Sequence, residues 1–154
     1  MLNAASRLRT RDRTVGPALI VRALLCLLII VCGLALRGFG LGLGLPSFYV
    51  KYGGSLLWGA MVFFSVGTAV PRLSRWPTGL ISAAIAICVE SFRLVHAPWL
   101  DAFRLTLPGA LLLGRIFSPW NLLAYGAGII LAGLLDGWAI PAFVRATRYA
   151  RRRG

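Results

Sequence analysis

Apolar residues gather into four long runs along this chain, over residues 15–36, 54–70, 78–95 and 121–141. About 20 apolar residues in an α-helix cross the ~30 Å hydrocarbon layer of a bilayer. Each run is therefore read as one span, the second, at seventeen residues, lying at the short limit. The first run is preceded by arginines in the manner of a signal peptide, but its end reads GLALRGFG and offers no small-x-small cleavage site, so it is read as uncleaved. The pattern predicts an all-α fold, a polytopic membrane helix bundle of four transmembrane helices.

The stretches between the runs punctuate it. GFGLGLGLP, over 38–46, is too rich in glycine for a helix interior and ends the first helix. Phe48, Tyr49, Lys51 and Tyr52 then form an aromatic and basic cluster of the kind found at headgroup level. Pro71, Arg72, Arg75, Trp76 and Pro77 make a short basic turn. Between the third and fourth runs, residues 101–117 carry an apolar run of only nine residues, 105–113, between Arg104 and Arg115, broken by Pro108 and Gly109. That is too short for an ordinary spanning helix. The expectation is a re-entrant or interfacial segment, with a fifth span as the alternative.

Composition agrees with this pattern: 58% hydrophobic residues, 14% charged and a mean hydropathy of +0.80 lie far from the average soluble domain. The net charge of +13 would suit nucleic acid, but the arginines are in the wrong places for that. Arg7, Arg9, Arg11 and Arg13 precede the first run and Arg145, Arg148, Arg151, Arg152 and Arg153 follow the last, flanking spans as cytoplasmic retention requires. No aromatic-interleaved basic patch accompanies them, and no nucleic-acid partner is expected. With four spans, both termini and the Arg72/Arg75 turn share the cytoplasmic side. The organisation is then a loosely ordered basic arm over 1–14, a bundle over 15–142 and a basic tail over 143–154. In this scheme Arg22 is a headgroup anchor and Asp136 pairs with tail arginines, while Arg37, Lys51, Tyr52, Glu90, Arg93 and Asn121 lie at the outer side.

Candidate chemistry concentrates in ESFRLVHAPWLDAFRLTLPGALLLGRIFSPWNLLAY, over 90–125, which holds two of the four acidic residues and the only histidine. Glu90 and Arg93 are three apart on a helix and able to pair, as are Asp101 and Arg104. An ionisable residue inside a span is costly unless paired or wetted. Glu90 is accordingly either a functional acid or half of a locking ion pair. Gly79, Ala83, Ala86 and Glu90 share one face of the third helix, and Ala124, Gly128, Ala132 and Asp136 one face of the fourth. Small residues at that spacing let backbones approach. These two faces are expected to meet and to bring Glu90 toward Asn121 and Tyr125. Cys26, Cys32 and Cys88 all sit in apolar runs, in no zinc spacing, so no metal, disulfide or cofactor is expected.

Three segments, KYGGSLLWGAMVF at 51–63, ESFRLVHAPWLDAFRLT at 90–106 and LLLGRIFSPWNLLAYGAG at 111–128, resemble the DUF2809 family of small bacterial inner-membrane proteins. That family is similar in layout to VanZ-like membrane proteins, whose final helices carry an acid, then an arginine, then a polar residue opening a glycine-containing helix. The resemblance spans most of the chain after the basic arm. It is carried by Lys51, Tyr52, Gly54, Trp58, Glu90, His96, Pro98, Trp99, Asp101, Arg104, Gly114, Phe117, Tyr125 and Gly128, with the core from Ala97 to Arg104 the most specific part. Three positions depart from the pattern the resemblance implies: Ser55 and Asn121 stand where an Asp is usual, and Arg93 where a Gln is usual. The resemblance implies an inner-membrane location and a multi-helix fold, and no established reaction.

Two functional classes follow. The first is a non-enzymatic envelope accessory protein whose outer face, through Lys51, Tyr52, Trp58, Glu90, Arg93, His96, Trp99, Asp101, Arg104, Arg115, Asn121 and Tyr125, binds an anionic lipid or lipid-linked phosphate. Arginine suits phosphate by paired donation, and aromatics suit the headgroup level. The second is a membrane-embedded hydrolase or transferase using Glu90 or Asp101 as base with His96. Against it, no HExxH or nucleophile–histidine spacing is present. A small transporter subunit comes third, since no inverted repeat is visible. Homo-oligomerisation is compatible with any of these.

Overall fold

A computed structural model describes residues 2–106, 108–109 and 117–153, with side chains for 16–106, 108–109 and 117–143. The described residues form five α-helices: α1 (Leu2–Phe39), α2 (Ser47–Ala69), α3 (Arg75–Phe92), α4 (Pro98–Leu105) and α5 (Pro119–Arg153). The all-α expectation holds. Helix α1 begins well before residue 15, because Ala4, Ala5 and the neighbouring arginines and leucines all favour helix and nothing before Pro17 interrupts them. Helix α5 likewise continues through Pro141 to Arg153. Of the segment expected to re-enter or lie at the interface, residue 107 and residues 110–116, including Arg115, fall outside the described residues. Its first part is α4, opened by Pro98 in the first turn, where a missing N–H costs nothing.

Helix α1 ends where its glycines begin. The chain turns at Gly44, whose φ of 81° is a left-handed conformation that suits glycine. Gly40 is held there for a different reason: a Cβ on it would lie 2.9 Å from Val50 Cγ2. The α1–α2 hairpin therefore closes tightly, with Gly33 against Leu57 and Leu36 against Gly53.

Helix α2 is the centre of the bundle and packs chiefly on α5 and α1, with α3 bridging α2 and α5. Two glycines permit the α2–α5 approach. A Cβ on Gly59 would lie 2.8 Å from Tyr125 Cα, and one on Gly128 would lie 2.9 Å from the Leu56 carbonyl carbon. The small-residue face of α5 is thus seated on α2, whereas the sequence reading placed it on α3. Ala86 of α3 and Ala132 of α5 do share the core, with Ala60, Phe63, Phe64, Tyr125 and Ile129. The reason for the difference is that α2 carries its own glycines at the crossing, so its backbone comes nearer.

Polar side chains inside the bundle are satisfied locally. Ser82 Oγ donates to the Thr78 carbonyl at 2.7 Å and Thr78 Oγ1 to the Ser74 carbonyl at 2.9 Å, so these fully buried hydroxyls need no partner from another helix. The outer surface is the reverse of a soluble protein's: Leu24, Leu27, Leu28, Val31 and Leu34 of α1 are exposed, Leu24 by 60%, while Arg22 on the same helix is 8% exposed. Two segments are long and apolar enough to cross a membrane, Gly16–Phe39 and Pro119–Phe143. Helices α2 and α3 are diluted by glycines, hydroxyls and the charges of Lys51, Arg75 and Glu90.

Candidate functional site

Glu90, on the last turn of α3, lies at the centre of a buried polar cluster. It is 0% exposed. Its Oε1 accepts from the Ser118 backbone N–H at 2.8 Å and from Asn121 Nδ2 at 3.2 Å, and its Oε2 lies 2.6 Å from Arg93 Nη1. Arg93 also donates to the Tyr125 hydroxyl at 3.0 Å, and Ser55 Oγ donates to Asn121 Oδ1 at 3.3 Å. Three helices meet in these bonds: α2 through Ser55, α3 through Glu90, α5 through Asn121 and Tyr125. Trp58 packs on the Tyr125 ring, centroids 4.8 Å apart. The Glu90–Arg93 pair and the approach of Asn121 and Tyr125 are as the spacing predicts. The bonds from Ser118 N–H and Ser55 are not visible in sequence, because neither residue has a helical spacing to Glu90.

Ser55, Arg93 and Asn121 thus lie in one cluster around Glu90. The Ser55–Asn121 contact between α2 and α5 is a neutral hydrogen bond, and the carboxylate of the cluster, Glu90, has its own cation in Arg93. A buried carboxylate paired in this way avoids the several-kcal/mol cost of an uncompensated charge.

Arg104 of α4 is 3% exposed and fixes the corner between α3 and α4. Its guanidinium donates to the Phe92 carbonyl at 2.7 Å, the Val95 carbonyl at 2.8 Å and Asp101 Oδ1 at 3.0 Å. It thereby holds the last carbonyl of α3, which also accepts from the Val95 N–H at 3.1 Å, together with the Val95 carbonyl in the turn that follows. His96 Nδ1 lies 3.4 Å from Asp101 Oδ1 in a surface contact. Trp99 is exposed, as is Lys51, whose Nζ lies 5.1 Å from the Tyr52 ring centroid. The expected outer-face residues therefore divide in two. Glu90, Arg93, Arg104, Asn121 and Tyr125 are buried and engaged with one another or with backbone, and Lys51, His96 and Trp99 face outward.

A second buried ion pair lies at the opposite end of the bundle. Arg22 Nε donates to Asp136 Oδ1 at 2.7 Å and Arg22 Nη2 to Asp136 Oδ2 at 3.0 Å, a two-pronged contact between α1 and α5, while Nη1 donates to the Gly67 carbonyl at 2.9 Å. This corrects two expectations. Arg22 is enclosed and is not a headgroup anchor, and Asp136, 4% exposed, has Arg22 as its partner in the interior, where tail arginines were expected. The sequence signal was present in both: a lone cation and a lone anion, each inside an apolar run, need one another more than either needs the surface.

Asn121 and Asp136 are fifteen residues apart on α5, and Arg22 and Arg37 fifteen apart on α1, about 22 Å in each case. Polar layers therefore cap an apolar middle of Phe63, Phe64, Ile129 and Ala132. Two apolar grooves open on the sides: one of about 360 Å³ between α1 and α2, reaching Arg37 and Pro108, and one of about 470 Å³ between α3 and α5, reaching Arg75 and Trp76. Among the described residues no group of three His, Cys, Asp or Glu side chains is placed to hold a metal ion.

No solved structure matches this chain. The family model described as "Protein of unknown function (DUF2809)" matches residues 44–129, a segment holding α2 and α3, both residues of the Glu90–Arg93 pair and its partners Ser55, Asn121 and Tyr125, and the chain belongs to that family.

Proposed function

We propose that this is an integral membrane protein of a bacterial inner membrane in which α1, α2, α3 and α5 cross the bilayer, with both termini cytoplasmic. The observation that carries the reading is the inversion of burial: leucines and isoleucines of α1 face outward, while Arg22, Glu90, Arg93, Asn121 and Asp136 are enclosed. In water that distribution would expose a large apolar surface and gain nothing for it. In lipid, apolar side chains have no reason to hide, and ionisable groups turn to the bundle interior and pair. The directions of the helices support four crossings. Arg22 meets Asp136 at one end and Ser55 and Glu90 meet Asn121 at the other, so α1 and α3 run one way and α2 and α5 the other.

Within that membrane the protein serves as a non-enzymatic accessory protein of the cell envelope that holds an anionic lipid or lipid-linked phosphate at its outer end. The buried residues Glu90, Arg93, Arg104, Asn121 and Tyr125, with half-exposed Asp101 on Arg104, set the frame. The groups that face a headgroup are Lys51 and Tyr52 with exposed Phe48 and Tyr49 beside them, together with His96 and Trp99. An acid–base role for Glu90 is disfavoured by its enclosure, since Oε1 is held by two donors and Oε2 by Arg93.

Alkaline carbonate extraction of membranes, followed by native mass spectrometry of the detergent-extracted protein, tests both parts. The expected result is retention in the membrane pellet and co-purification of anionic lipid, reduced in Lys51→Ala/Tyr52→Ala. Release by carbonate would overturn the membrane reading, and lipid retention identical in the double variant would overturn the headgroup assignment.

A further inference from the structure

Arg37 differs from the enclosed arginines. Arg22, Arg93 and Arg104 each contact a carboxylate, whereas Arg37 at the end of α1 has no acceptor among the described residues. It lines one end of the groove between α1 and α2, whose other walls are apolar: Ile29, Ile30, Leu34, Leu57, Trp58 and Met61. Pro108 closes onto the same groove. The side chain of Arg37 lies over Gly54, its Nε 3.1 Å and its Cγ 3.7 Å from where a Cβ would stand. Any larger residue at 54 would displace it. The groove floor is equally open at Gly33, where a Cβ would meet only Leu57 at 3.9 Å.

We propose that this groove is a lipid site, taking one acyl chain of an anionic glycerophospholipid between α1 and α2 with its phosphate on the Arg37 guanidinium. The inference rests on the membrane reading above and assigns the ligand a seat and a cation that the outer-end residues do not include. Its volume of about 360 Å³ is within the ~300–1,000 Å³ range of small-molecule sites. An apolar trough leading to a cation with no acceptor among the described residues calls for an occupant with an apolar tail and an anionic head. A phosphodiester accepts two parallel N–H···O bonds from a guanidinium, which a zwitterionic headgroup offers with its own cation in competition. Lys51 lies three residues before Gly54, on the same side of α2, and adds a second positive charge near the head. The acyl chain has lipid on either side of the exchange, so its burial contributes little. Selectivity therefore comes from Arg37, and the groove supplies position.

Native mass spectrometry of the full chain in detergent, titrated with phosphatidylglycerol or phosphatidylcholine, reads this directly. The wild type is expected to bind one phosphatidylglycerol with about tenfold preference over phosphatidylcholine, the scale of one charge-assisted contact. Arg37→Gln removes the preference. Gly33→Leu and Leu34→Trp fill the groove and remove the bound lipid, with the thermal midpoint from tryptophan fluorescence or circular dichroism unchanged in at least one of them. Unchanged preference in Arg37→Gln, or lipid retained in a folded groove-filled variant, overturns the groove while leaving a headgroup reading centred on Lys51 and Tyr52 intact. Absence of any anionic adduct in the wild type overturns both. A two-chain mass that Gly33→Leu dissociates would assign the groove to a second copy and overturn the lipid.

Discussion

Arg93 holds Glu90 on one side and the Tyr125 hydroxyl on the other, so its removal strands a fully buried carboxylate. Arg93→Ala is expected to lower stability by about 3–5 kcal/mol, the cost of breaking a buried pair from one side, and Glu90→Gln, which keeps an acceptor for Ser118 and Asn121 but leaves the Arg93 guanidinium without its carboxylate, is expected to be destabilising for the same reason. Thermal unfolding in detergent measures both, and a wild-type midpoint in either variant would contradict the stated geometry. Arg104 makes a different kind of contact. One planar fork serves the Phe92 and Val95 carbonyls and Asp101 together, which a lysine ammonium on a flexible stem does not reproduce. Arg104→Lys should therefore keep the charge yet raise hydrogen exchange across residues 93–97; protection equal to wild type would remove Arg104 from this corner. The i, i+3 spacings of Glu90 with Arg93 and Asp101 with Arg104 were legible in the sequence, because one helix decides them. That the Arg104 guanidinium also reaches α3 was not, since the bend between two helices sets that distance.

Helices meet through what is missing from glycine. Gly126 and Gly128 lie two apart on α5, yet a Cβ on Gly126 would meet nothing, and one on Gly128 would press on the backbone of Leu56 and Ala60. Gly128→Ala is expected to force α2 and α5 apart and to lower the unfolding midpoint clearly, with Gly126→Ala close to neutral; matched midpoints would refute this crossing. The sequence marked small-residue faces on α3 and α5, and Ala86 and Ala132 do share the core, but composition alone does not select the nearest partner. Gly128 seats on α2 because α2 supplies a second glycine, Gly59, at the same crossing. The Arg22–Asp136 contact ties α1 to α5 in the same way. Arg22→Leu or Asp136→Leu alone leaves one buried charge, and the double variant should recover most of the loss, since apolar packing of similar volume replaces a buried pair at little cost. A double-mutant cycle with no coupling would show the two side chains to be independent.

At the scale of the whole molecule, polar layers some 22 Å apart and an apolar middle give the bundle the profile of a bilayer. In a cysteine-free background, Ser74→Cys should react with a membrane-impermeant thiol reagent only from the cytoplasmic side and Ser47→Cys only from the other; reaction of both from one side would overturn the four-span topology. The sequence by itself determined the helical class and the lengths of the apolar runs. It determined too the concentration of chemistry in residues 90–125, because hydrophobic periodicity and local charge spacing are properties of single helices. It also pointed to DUF2809, through motifs local to α2, α3 and the start of α5. Only the tertiary structure decided that Arg22 and Asp136 are partners across 114 residues, that Ser55 and the Ser118 N–H join the cluster around Glu90, and that Arg37 lines one end of an apolar groove. Those relations depend on which faces of separate helices come together, and that choice is made by backbone approach at a few glycines and by the need of each enclosed charge for a counter-charge.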